Sequence, residues 1–180
     1  MLEDIEEILI DGKAIQTRVK ELGEEISRRY ENKDLLLVCI LKGGIMFMAD
    51  LSRCITIPCE FDFMAVTSYG EATESSGVVR ILKDLDKSIQ NRHVLIIEDV
   101  VDTGLTLKYL VKNLENRRPA SLKVCSLLNK KAHRKADVKI DFVGFDIPDK
   151  FVIGYGLDYA GKYRNLPFIS VLKPKIYTTC

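Results

Sequence analysis

The chain has 180 residues, 47% of them hydrophobic and 29% charged, with 27 basic side chains against 26 acidic ones for a net charge of +1. At roughly 100–200 residues per domain this reads as one domain over 1–180, long enough to bury a sizeable core without disulfides or a structural metal. The balanced charge gives no argument for nucleic acid or a membrane surface, and the apolar run 35–41 is far short of the about 20 residues a span needs.

Taken in chain order, a short apolar start at 8–10 precedes Asp11, a candidate helix cap. Ile15, Val19, Leu22, Ile26 and Tyr30 then recur at helical spacing and predict a long helix with one apolar face. Residues 35–41 read as a strand buried on both faces, broken by Lys42-Gly43-Gly44, and 45–54 as a short helix. Residues 59–67 alternate as a strand does, 68–77 (SYGEATESSG) read as a loop, and 78–82 as a strand. Further strands are expected at 93–97, 122–128, 142–145 and 151–155, with a helix at 105–114 and a basic turn at 130–135. Apolar strands alternating with helices predict an α/β fold with a mainly parallel sheet flanked by helices. In such sheets ligands bind beyond the carboxyl ends of the strands. The turns after Leu41, Ile97, Leu128 and Tyr155 are therefore where chemistry is expected.

The most informative stretch is 94–106, VLIIEDVVDTGLT. A buried strand runs into Glu98 and Asp99, then Asp102, then Thr103-Gly104-Leu105-Thr106 at a helix start. The plain structural reading makes Asp102 an N-cap. That leaves the Glu98-Asp99 pair unexplained, because a strand end does not need two neighbouring anions. Small hydroxyl and glycine residues at a helix N-terminus favour an anion. Carboxylates beside them can accept from a sugar diol or hold a hard cation such as Mg²⁺. Together they ask for a ribose phosphate.

That segment resembles the phosphoribosyl pyrophosphate (PRPP) motif of type I phosphoribosyltransferases. Leu41-Lys42-Gly43-Gly44, Ser68-Tyr69-Gly70, residues 141–158 and Arg164 are similar to the hypoxanthine–guanine branch of that family, in family order. The resemblance implies a small hood built from terminal segments and transfer of the 5-phosphoribosyl group from PRPP to N9 of hypoxanthine or guanine, in purine salvage. It implies Mg²⁺ as cofactor, with Glu98 and Asp99 at the metal of the ribose diol and Asp158 near a second Mg²⁺. Glu98, Asp99, Asp102, Thr103, Gly104, Leu105 and Thr106 would hold the ribose and 5′-phosphate, with Asp102 as catalytic base. Lys42, Gly43 and Arg164 would hold pyrophosphate, at a turn that carries a cis peptide in the family. Lys130, Phe151, Val152 and Asp158 would surround the purine, and Ser68 and Tyr69 would belong to a lid. The family also implies a homodimer or homotetramer.

Each residue has a plainer alternative. Lys42 could be a solvated lysine in a glycine turn, Lys130 one charge in a basic turn, and Phe151 ordinary core. Lysine has donors only, which suits a 6-oxo acceptor and disfavours the 6-amino group of adenine. Xanthine preference within the fold remains open, as does an RNA-binding regulator, which would need an extensive basic face. There is no GxxxxGK[ST] P-loop, no third glycine after Gly154-Tyr155-Gly156 at dinucleotide spacing, and no GxSxG elbow. Met1-Leu2-Glu3-Asp4 is no basic leader, and the cysteines (Cys39, Cys54, Cys59, Cys125 and Cys180) contain no CxxC pair. Free thiols in the cytoplasm are the expectation.

Overall fold

The computed structural model describes residues 1–69 and 78–177. The expected lid at 68–77 falls mostly outside the described residues. Its first two positions, Ser68 and Tyr69, are not loop: they end strand β3 (Cys59–Tyr69), where they pair with Val79 and Val78 of β4 (Val78–Lys83).

Helix α1 (Gly12–Arg29) starts where the sequence places it, with Asp11 Oδ1 accepting from the Ala14 N–H at 2.8 Å. Its buried face is Ile15, Val19, Leu22 and Ile26. Strand β2 (Leu35–Leu41) follows, then α2 (Ile45–Cys54). Strand β5 (His93–Val101), α3 (Leu105–Glu115), β6 (Ser121–Asn129) and β7 (Phe142–Asp146) complete the main unit.

The main sheet has the order β4-β3-β2-β5-β6-β7. All neighbours are parallel except the β3–β4 hairpin at one edge. Alternation along β2 explains its uniformly apolar sequence. Leu35, Leu37 and Cys39 join the layer with α1 and α2, while Leu36, Val38 and Ile40 join the layer with α3. Each such side chain contributes about 1.5–3 kcal/mol on burial.

Two expectations about strands change. β5 does not stop at Ile97: its ladder with β6 continues through Glu98↔Ser126, Val100↔Leu128 and Val101↔Asn129. The acidic pair thus lies inside a strand, not in the turn after it. The expected strand at 151–155 shrinks to β8 (Val152–Ile153), because Gly154, Tyr155 and Gly156 all have positive φ. β8 belongs to a second antiparallel sheet, β1-β9-β8, with β1 (Ile5–Ile10) and β9 (Ile169–Leu172). This sheet is the hood of terminal segments, with β8 inserted at its edge. A short helix α4 (Pro174–Tyr177) follows.

Candidate active site

The strand order sets the site. From β2 the chain moves to β3 and β4 on one side, then returns to place β5 on the other side of β2. The segments leaving β2 and β5 therefore diverge and open a crevice at the carboxyl ends of adjacent parallel strands. Lys42-Gly43 leaves β2 and Asp102–Thr106 leaves β5. The Leu41–Lys42 peptide is cis, as the resemblance implies.

The two acids of β5 serve opposite sides. Glu98 is buried and lines a cavity of about 200 Å³ with Ile40, Val100, Val101, Asp102, Thr103, Gly104, Thr106 and Leu107. Asp99 turns instead to the β2 turn, where a Cβ on Gly43 would lie 1.5 Å from its Oδ2. Only glycine leaves room for that carboxylate. Burial, and then the Asp99 charge, push the Glu98 carboxyl well above the usual range. Burial also raises Asp99; the Val100 N–H and Arg164 oppose this, and Asp158 adds to it. These carboxylates sit where positive charge would relieve them.

A second approach of backbones joins the loop after β8 to the same turn. A Cβ on Gly156 would lie 2.1 Å from the Gly43 carbonyl oxygen. Arg164 donates from Nη1 to the Gly156 carbonyl at 2.6 Å, and its Nη2 pairs with Asp158 Oδ1 at 2.6 Å. Asp158 Oδ2 accepts from the Gly161 N–H at 2.8 Å. The Tyr155 hydroxyl donates to Asp50 Oδ2 of α2 at 2.5 Å, tying the loop to the helix that follows Lys42-Gly43.

The turn after β5 is the third component. The N-cap of α3 is Gly104 with φ 78°, and no side chain caps the helix. Asp102 is therefore not an N-cap. Its Oδ1 lies 2.5 Å from His133 Nδ1, and its Oδ2 lies 3.8 Å from Lys130 Nζ. The Leu105 N–H donates to Thr103 Oγ1 at 3.4 Å. Lys130 is buried rather than solvated, with Nζ also 3.5 Å from Asp149 Oδ1. Phe151 is 40% exposed, not core. Its ring stacks on Tyr177 at 5.1 Å and meets Tyr159 edge-on at 5.8 Å. The Leu172 N–H donates to the Phe151 carbonyl at 3.3 Å, so the backbone groups of Val152, next along, turn to the free edge of β8.

The expected metal residues Glu98, Asp99 and Asp158 form no single converging group among the described residues, as two separate cation positions require none. Neighbours on a strand point to opposite faces. Among the described residues, the ligand-type side chains that converge are Asp102, His133 and Asp149. His133 was missed from sequence, although it is one of two histidines and stands three residues past Lys130. The side chains of Ser68 and Tyr69 lie outside what the structure describes.

A crevice at the switch point of a parallel sheet, with an acidic strand, a glycine-opened helix start and an arginine–carboxylate loop, defines a phosphoribosyl-handling α/β protein. The phosphoribosyl transferase domain family matches residues 6–160. The chain is 54% identical to the hypoxanthine-guanine phosphoribosyltransferase of Bacillus subtilis, over 98% of each chain. It is 54% identical to the Mycobacterium avium enzyme of the same name, over 97% of this chain and 89% of that one. A crystal structure of a Staphylococcus aureus hypoxanthine phosphoribosyltransferase superposes with a TM-score of 0.96 at 49% identity, covering 98% of this chain and 96% of that one. The chain belongs to the phosphoribosyltransferase family, in its hypoxanthine-guanine branch.

Proposed function

We propose that this chain transfers the 5-phosphoribosyl group of PRPP to N9 of hypoxanthine or guanine, giving the nucleoside monophosphate and pyrophosphate in purine salvage. The observation that carries the reading is the pairing of a partly exposed carboxylate, Asp102, with a buried ammonium, Lys130, beside the cavity of about 200 Å³ at the switch point. The whole chain acts as one catalytic unit.

Asp102 Oδ2 takes the purine N7 proton. The electron pair of that N–H bond returns to the ring, N9 bonds to C1′ of the ribose, and the C1′–O bond to pyrophosphate breaks with its pair on the leaving group. Lys130 donates to the 6-oxo oxygen, a bond that the 6-amino group of adenine cannot accept. Phe151 offers the ring face not covered by Tyr177 for stacking, and the Val152 backbone reads the base edge. The backbone N–H groups of Thr103, Gly104, Leu105 and Thr106 hold the 5′-phosphate at the start of α3. Asp99 and Glu98, from opposite faces of β5, orient the ribose hydroxyls and their metal. Lys42, the Gly43 N–H and Arg164 bind pyrophosphate, the arginine by its fork of donors.

The donor set suits Mg²⁺: separate carboxylates, Glu98 and Asp99 raised by burial and a neighbouring acid, that reach hard cations singly while substrate oxygens and water complete the shells. Bound there, the cation would neutralise the charge developing on pyrophosphate. Glu98 and Asp99 would orient the cation at the ribose diol, and Asp158 would hold a second. The same reading takes the enzyme as cytoplasmic, supported by free thiols at Cys39, Cys54, Cys59 and Cys125. It takes the assembly as a homodimer or homotetramer, and Ser68 and Tyr69 as the base of a lid. No helix among the described residues is long and apolar enough to cross a membrane.

The test is pyrophosphate release from Mg·PRPP with hypoxanthine, guanine, xanthine and adenine in turn. Turnover with the first two and little with adenine is expected. Turnover only with xanthine reassigns the base, and no turnover together with salt-sensitive RNA binding overturns the reading.

A further inference from the structure

We propose that His133 is a positioning residue for catalysis, acting through Asp102, and so rests on Asp102 being the base. An ionised carboxylate only accepts, so its 2.5 Å contact with Asp102 Oδ1 makes His133 the donor from Nδ1. That bond occupies one carboxylate oxygen and leaves Oδ2, on the Lys130 side, to take a proton.

The turn bearing His133 is fastened to the backbone on either side of the base. The Lys130 N–H donates to the Val101 carbonyl at 3.0 Å. The N–H groups of Lys135 and Ala136 donate to the Thr103 carbonyl at 2.9 and 3.0 Å. Arg134 Nη2 reaches the Val101 carbonyl at 3.3 Å and Asn129 Oδ1 at 2.5 Å. Histidine and base are thereby parts of one rigid frame. Asp102 needs this restraint, because its side chain is 42% exposed. Lys130 alone cannot supply it: at 3.8 Å its ammonium is beyond hydrogen-bond reach of Oδ2 and is shared with Asp149. Asp149 also lies 4.0 Å from His133 Nδ1, too far to replace Asp102 as its partner.

Single-turnover rates with Mg·PRPP and hypoxanthine test this, because they isolate chemistry from product release. His133→Ala should slow the step ~10–100-fold, the cost of a reacting group displaced by about an ångström. Its KM values should stay within about twofold. His133→Asn, whose amide can donate from nearly the position of Nδ1, should recover most of the rate. In an Asp102→Asn background His133→Ala should add no further loss. If Asp102→Asn is slow but His133→Ala matches the parent, the positioning role is wrong and the base stands. If Asp102→Asn itself turns over normally, the base assignment goes, and this inference with it. Losses that multiply in the double variant, or Asn and Ala variants that are equally slow, would show that His133 acts elsewhere.

Discussion

At the scale of single residues, the proposed chemistry turns on Asp102 and Lys130. Asp102→Asn should slow nucleotide formation by roughly 10²–10⁴-fold, the range for general acid–base groups, with PRPP binding largely kept. Steady-state rates and PRPP binding, measured together, check it, and near-parent turnover would reject the role. Lys130→Ala should cost 6-oxopurines about 1.5–3 kcal/mol in kcat/KM, the scale of a charged hydrogen bond. Adenine should lose little, so the ratio of the bases is the readout. The acids, the glycine helix start and Lys130 were legible in the sequence because a motif concentrates them. His133 was not, since its partner is 31 residues away in the chain. Phe151 read as core by residue type alone, and its exposure follows from neighbours, Tyr159 and Tyr177, that a local pattern cannot supply.

At the scale of elements, the turn after β2 is the most constrained. Gly43→Ala would drive a methyl group into the Asp99 carboxylate, so either the turn or the acid must move. The expected result is a rise in PRPP KM and a fall in kcat/KM of at least about tenfold, with thermal unfolding little changed because the strain can relax into the crevice. A variant with parent kinetics would mean that Asp99 can swing aside freely. Most elements were legible: the α1 face, the capping Asp11 and the doubly buried β2 follow from spacing and run length. The ends were not. β5 outruns its apolar residues because β6 keeps supplying ladder partners, and β8 stops early because three successive residues with positive φ leave strand geometry. The charge at 98 and 99 reads as a terminus in sequence, yet the ladder with β6 runs through it.

At the scale of the molecule, sheet edges are held by charge pairs with their own pH signature. Asp141 leads into β7. Burial pushes its carboxyl up, but the Lys123 ammonium, the Val124 N–H and Lys139 more than offset that, and the net position is below the usual range. A carboxylate depressed in the folded state stabilises above its unfolded pKa of about 3.9 and loses that contribution as pH falls through the folded value. Asp141→Asn should therefore cost about 1.5–3 kcal/mol at neutral pH. Urea unfolding across a pH series should show the gap to the parent closing below about pH 4. A gap that stays constant into acid would mean the loss is one of packing rather than charge.

The return of the chain from β4 to β5 also divides the catalytic equipment unevenly along the sequence. Lys42 and Gly43 come before that return, and every other residue assigned to substrate comes after it. Cutting the chain in the connection between Lys83 and His93 would leave two complementary fragments, neither with a complete crevice. Parallel pairing of β2 with β5 and the Tyr155–Asp50 bond would be the means of reassociation. The two pieces, each silent alone, should regain pyrophosphate release when refolded together, and activity should rise with the concentration of the scarcer piece. The fold in this sense is a natural split reporter, its signal dependent on two segments meeting at one seam.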